Sequence, residues 1–82
     1  MKKIVVTGGL GFIGSNFIQK MLTEYPNYEI LNIDAEFLGS NKKNLKNIDK
    51  NDRYEYVKGN ITNKKLMEEL ISQSDIVVNF AA

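Results

Sequence analysis

Apolar and polar positions follow two different periods along this chain, and the switches between them mark its elements. Lys3-Ile4-Val5-Val6-Thr7 is a β-branched run ended by glycines, which predicts a buried strand. From Phe12 to Tyr25 the apolar residues Ile13, Phe17, Ile18, Met21, Leu22 and Tyr25 fall on one helical stripe. Pro26-Asn27 closes that helix, because proline disfavours helical geometry at the residue before it. Glu29-Ile30-Leu31-Asn32-Ile33 predicts a second strand with Asp34 at its end. Tyr54 to Lys58 alternates with period two and predicts a third strand, stopped by Gly59-Asn60. Thr62 or Asn63 then caps a helix whose inner face is Leu66, Met67, Leu70 and Ile71. Asp75 to Phe80 predicts a fourth strand. The stretch from Ala35 to Asp52 is the least regular. Gly39-Ser40-Asn41 is turn chemistry, and Ser40 or Asn41 offers a cap for a short polar helix through Leu45 and Ile48.

Helical segments between consecutive strands imply right-handed crossovers and parallel pairing. The expected fold is therefore α/β: a Rossmann-type parallel sheet of four strands in order 3-2-1-4, with helices on both faces. Four such strands make most of one mononucleotide-binding half, so the sheet is expected to be incomplete.

Composition narrows the chemistry. The 82 residues hold no cysteine and no histidine. Disulfides, thiolate metal sites, Ser-His-Asp or Cys-His catalysis and a histidine base are thereby excluded within this chain. The formal charge is +1, which gives no electrostatic reason to expect nucleic acid or an anionic membrane as partner. The apolar run after Met1-Lys2-Lys3 ends at Thr7-Gly8-Gly9, too short for a secretion signal, and no stretch reaches membrane-spanning length. A cytoplasmic location is the expectation. The Asn- and Lys-rich segment around Lys42-Lys43 reads as a solvated connection, and Glu68-Glu69 as a solvated helix face.

The informative residues are Thr7-Gly8-Gly9-Leu10-Gly11-Phe12-Ile13-Gly14. Gly9, Gly11 and Gly14 satisfy G-x-G-x-x-G between a predicted strand and a predicted helix, the context that gives the motif its meaning. The first glycines let the chain turn and bring backbone close to a pyrophosphate, while Gly14 lets the helix pack closely. The helix start then points unpaired N–H groups at the phosphates. No Gly-Lys-Ser/Thr follows, which argues against an NTPase. Asp34 stands about 20 residues beyond the glycines, where a carboxylate accepts from a ribose 2′-hydroxyl and repels a 2′-phosphate. That choice favours NAD over NADP. The bland alternatives are a glycine-rich turn without ligand and a turn aspartate. Asn60-Ile61 and Phe80-Ala81-Ala82 close the third and fourth strands on the same crevice.

The run from Thr7 to Asn16 resembles the opening of the extended short-chain dehydrogenase/reductases that modify nucleotide sugars. Asn32-Ile33-Asp34, Gly39-Ser40-Asn41, Asn44-Leu45, Asp52-Arg53-Tyr54, Val57-Lys58-Gly59 and Phe80-Ala81-Ala82 extend the likeness over essentially the whole chain. The stretch from Asn41 to Ile61 is similar to the dTDP-glucose 4,6-dehydratase branch. UDP-glucose 4-epimerases and UDP-glucuronate decarboxylases share the glycine loop and are the near alternatives. The resemblance implies that Gly8, Gly11, Phe12, Ile13 and Gly14, then Asp34, Ala35, Glu36 and Phe37, then Asn60, Ile61, Phe80, Ala81 and Ala82 touch NAD. It implies a nucleotide-sugar substrate and a homodimer for the full-length protein. In that family a hydride passes from sugar C4 to NAD, water leaves across C5 and C6, and the hydride returns to C6.

This chain departs from the pattern at three points. Asn60 stands where the family usually has aspartate, and Ala35-Glu36-Phe37-Leu38 differs from its commoner Lys-Leu-Thr-Tyr. The family's catalytic threonine, Asp-Glu pair and Tyr-x-x-x-Lys have no counterpart here, so no catalytic residue and no metal ligand is assigned. The expectation is an N-terminal NAD-binding portion (residues 1–82) whose last strand, Ile76-Val77-Val78, leaves an apolar open edge and makes the isolated chain weakly stable, oligomeric or partner-dependent. A non-catalytic dinucleotide-binding module is the alternative from another class.

Overall fold

The computed structural model describes residues 1–36, 45, 46, 48 and 50–80. Among them the elements run β1 (Lys2–Thr7), α1 (Phe12–Glu24), β2 (Tyr28–Asp34), β3 (Tyr54–Lys58), α2 (Lys64–Ser72) and β4 (Ile76–Asn79). The four strands form one parallel sheet in order β3-β2-β1-β4. Both the order and the parallel pairing are those expected from the alternation of periods. The short helix expected from Ser40 or Asn41 falls largely outside the described residues. Of its expected core positions, Leu45 and Ile48 are described and buried, in turns where the Ile48 N–H donates to the Leu45 carbonyl.

β1 and β2 are central and close to continuously apolar, because both of their faces are covered. Ile4, Val6 and Ile30 face α1 and pack with Leu10, Ile18 and Leu22, and with Leu45 and Ile48. Val5, Leu31 and Ile33 face the other way and meet Val57, Met67 and Leu70. Each fully buried aliphatic side chain contributes roughly 1.5–3 kcal/mol. The weight therefore lies on the first face: α1 buries Gly14, Ser15, Ile18 and Leu22, whereas α2 buries no residue among those described. Asn63 caps α2, its side-chain oxygen accepting from the Leu66 N–H at 3.1 Å. At the β4 edge Ile76 and Val77 are exposed.

The helical stripe read from the sequence needs correction at both ends. Ile13 is not on the inner face of α1 but 69% exposed. Close packing runs through Gly14 and Ser15 instead, because only small residues fit where the helix start crosses the strand end. Tyr25, at the far end of the stripe, is also exposed.

Arg53 fastens the opposite end of α1. Its Nη1 donates to the carbonyls of Tyr25 and Tyr28 at 3.1 and 2.8 Å, and its Nη2 to the Leu22 carbonyl at 2.6 Å. The last carbonyls of a helix lack intrahelical donors and carry the negative end of its dipole, so a guanidinium is well matched to them. Arg53→Met is expected to lower the urea midpoint, with unchanged m, by about 1.5 kcal/mol of stability. Arg53→Lys recovers less than half of it, since one ammonium does not reproduce the fork.

Candidate functional site

The site is built where β1 ends and α1 begins. Gly8 takes a φ of 75°, a left-handed conformation that turns the chain sharply off the strand. The loop is then tied down to the end of β2 by successive amides. Gly8 N–H donates to the Ile33 carbonyl at 2.8 Å, Gly9 N–H to Asn32 Oδ1 at 3.0 Å and Leu10 N–H to Asp34 Oδ2 at 3.0 Å. The Leu10 side chain is buried in the α1-side core, which anchors the loop from below.

The glycines divide by what demands them. A Cβ on Gly14 would lie 2.6 Å from the Gly8 carbonyl oxygen and 2.9 Å from the Gly9 Cα, so the helix could not sit this close. A Cβ on Gly11 would meet only the Gly8 oxygen, at 3.6 Å, an ordinary contact. Gly11 is the N-cap of α1, with a φ of −73° open to any residue. Nothing in the described polypeptide requires glycine there, so the space beside its Cα stays open.

α1 starts without a capping side chain and without an acidic residue in its first turn. The Ser15 N–H is satisfied by the Gly11 carbonyl at 2.9 Å. The amides of Phe12, Ile13 and Gly14 precede it and lack an intrahelical acceptor. They form a cluster of donors at the positive end of the helix dipole. Beside them the Phe12 and Ile13 side chains are 78% and 69% exposed, an apolar shoulder next to the positive end of the helix dipole.

Asp34 is 7% exposed and is already used by the protein. Besides the Leu10 amide on Oδ2, its Oδ1 accepts the Glu36 N–H at 2.7 Å. It thus serves a turn, as in the bland alternative, yet a carboxylate offers about four lone-pair sites and two remain for a ribose. Ala35 follows it, half-buried. Glu36 has a φ of 60° and receives the Tyr56 hydroxyl on Oε2 at 2.8 Å, with Lys58 Nζ at 3.9 Å. Burial first, then that hydrogen bond to Glu36, pushes the Tyr56 phenol well above its usual range, so it stays protonated and keeps donating.

Asn60 and Ile61 sit after β3 at the same end of the sheet. The Asn60 side-chain oxygen accepts the Thr62 N–H at 2.9 Å in a local turn, which leaves its amide nitrogen as the group to offer an adenine. Phe80 packs tilted against Phe17 with ring centroids 5.5 Å apart, so its side chain serves the core, while its N–H extends the β1–β4 ladder onto the Thr7 carbonyl. Phe37, Ala81 and Ala82 lie outside the described residues.

The roles of three polar residues escaped the sequence reading. Asn32 is fully buried, holding Gly9 with its oxygen and the Tyr54 hydroxyl with its nitrogen at 3.1 Å. Thr7 and Asn79 join β1 to β4 through their side chains. A buried asparagine inside an otherwise apolar strand was the available signal, since such a group needs partners. Among the described residues no helix is long and apolar enough to cross a membrane, and no three potential metal ligands cluster.

Comparison with known proteins gives a consistent picture. Residues 5–82 match the family described as GDP-mannose 4,6 dehydratase. A dTDP-glucose 4,6-dehydratase from Bacillus anthracis, solved in complex with NAD, superposes with a TM-score of 0.92 at 46% identity, covering 100% of this chain and 27% of that one. A dTDP-glucose 4,6-dehydratase from Streptomyces venezuelae with NAD bound gives 0.90 at 34% identity, covering 98% and 26%. The human dTDP-D-glucose 4,6-dehydratase is 37% identical over 83 residues, 99% of this chain and 24% of its own length. The chain thus spans about a quarter of the length of the relatives it matches.

Proposed function

This chain belongs to the GDP-mannose 4,6 dehydratase family, and on that premise we propose that it forms the adenosine- and pyrophosphate-binding part of an NAD-dependent nucleotide-sugar dehydratase acting on a dTDP-hexose. The observation that carries the reading is the start of α1. The loop amides from Gly8 to Leu10 are spent on β2, that of Gly11 turns back to the Gly8 carbonyl, those of Phe12, Ile13 and Gly14 lack an intrahelical acceptor, and the glycine at position 11 answers to nothing inside the described polypeptide.

In this reading the Phe12, Ile13 and Gly14 amides hold the pyrophosphate, and the exposed Phe12 and Ile13 side chains shield it from water. Asp34 accepts from the adenosine ribose, with Ala35 and Glu36 beside it, and Asn60 and Ile61 border the adenine. Phe37, Ala81 and Ala82 complete the lining by the family pattern. When bound, NAD accepts and returns a hydride. This chain's part is to grip the adenosine half of that cofactor and so orient the rest. No catalytic residue is assigned within these 82 residues. By the same resemblance we propose that the full-length protein is a cytoplasmic homodimer.

The test is a titration of the isotope-labelled 82-residue chain with NAD, followed by backbone amide shifts. Saturable movement of the Gly8–Gly14, Asp34–Glu36 and Asn60–Ile61 amides is the expected result. A folded spectrum that stays still at millimolar NAD rejects the reading.

A further inference from the structure

We propose that Glu36 is a specificity-determining residue of this site: its carboxylate, held over the exit of β2 by Tyr56 and Lys58, admits a ribose with a free 2′-hydroxyl and turns away one carrying a 2′-phosphate. The inference rests on the cofactor reading above and assigns to a second, separately held carboxylate a discrimination otherwise left to Asp34.

The argument starts from the charge at the strand end. Asp34 is nearly buried, and both of its oxygens accept backbone N–H groups, from Leu10 and from Glu36 itself. Its charge is partly spent on holding the glycine loop. Two residues later the backbone of Glu36 is left-handed, at a φ of 60°. A glutamate is a poor choice there on conformational grounds alone, since glycine or asparagine takes that geometry more easily. The conformation is nonetheless fixed from three sides. The Glu36 N–H donates to Asp34, the Tyr56 hydroxyl donates to Oε2, and Lys58 stands 3.9 Å from the same oxygen. The Tyr56 hydroxyl also lies 3.4 Å from the Asp34 carbonyl oxygen, which pins the Glu36 carboxylate to the very end of β2. Its side chain remains 25% exposed.

A 2′-phosphate brings about two negative charges to this place. It would meet Asp34 and Glu36 together, and like charges brought into contact are an effective way to reject a competing ligand. Lys58 adds to the effect through its engagement. It faces Glu36 from 3.9 Å, so neutralising Glu36 both removes a repulsion and leaves that cation without this carboxylate beside it.

The experiment compares the 82-residue chain with Glu36→Gln and Glu36→Gly, titrating each with NAD and with NADP and reading the amide shifts. Glu36→Gln removes the charge and keeps an acceptor for Tyr56. Glu36→Gly removes both and relaxes the left-handed backbone. The expected result is a fall of about tenfold or more in the ratio of NADP to NAD dissociation constants in both variants. In the parent that ratio shrinks with added salt, as a charge effect must. A ratio unchanged in Glu36→Gln while NAD still binds overturns the inference and leaves the cofactor reading intact. A fall confined to Glu36→Gly also overturns it, assigning Glu36 to the turn rather than to the ligand. Absence of any NAD binding by the folded parent rejects the cofactor reading itself, and this inference with it.

Discussion

Gly14→Ala is expected to cost this chain at least about 2 kcal/mol, lowering its melting temperature by roughly 8–16 °C. The added methyl would sit 2.6 Å from the Gly8 carbonyl oxygen and 2.9 Å from the Gly9 Cα. Both are backbone atoms, and Gly8 is already committed to a left-handed turn, so no rotamer change relieves the clash. Overpacking of this kind costs up to about 3 kcal/mol or more. Alanine returns at most about 1 kcal/mol as the better helix former, a figure for helix interiors that the first turn of α1 does not reach. The clash wins. A domain of this size has roughly 4–12 kcal/mol to lose, so the loss is a substantial fraction. A thermal melt of the variant at the parent's midpoint would show that α1 shifts freely, and the account of close packing would then be wrong.

Gly11→Ala is expected to do the reverse: to spare the fold and destroy the site. Its methyl finds only an ordinary 3.6 Å contact, and the backbone at this N-cap is already extended. The stability cost is held below about 1 kcal/mol, the difference between glycine and alanine as helix caps. The dinucleotide should meanwhile bind about 100-fold more weakly, or roughly 2.7 kcal/mol, because the methyl occupies the place where backbone must approach the pyrophosphate. The two glycine variants are thus a matched pair, one read by melting and the other by NAD titration. NAD bound equally well by Gly11→Ala would remove the main support for a phosphate at the start of α1.

The likeness between the expected and observed fold has a local cause. Unbroken β-branched runs, period-two alternation and period-3.6 stripes are properties of neighbouring residues, so Lys3–Thr7, Tyr54–Lys58 and the helix capped by Asn63 are legible wherever the rest of the chain goes. The same is true of the glycine loop, whose spacing alone places a turn and a helix start after a strand. Ile13 shows the limit. Its spacing puts it on the apolar stripe, and a stripe does not say where the supporting sheet ends.

The sequence by itself determined the order of strands and helices, the parallel topology that this order enforces and the position of the glycine turn between β1 and α1, because each follows from short-range pattern and chain connectivity. The tertiary structure decided which polar groups meet. Asn32 reaches the Gly9 amide across 23 residues, Asp34 the Leu10 amide across 24, Tyr56 the Glu36 carboxylate across 20 and Arg53 the Tyr25 carbonyl across 28. Hydrophobic periodicity carries no record of such partners. They are chosen only when the sheet has brought the strand ends together and buried groups must satisfy one another there.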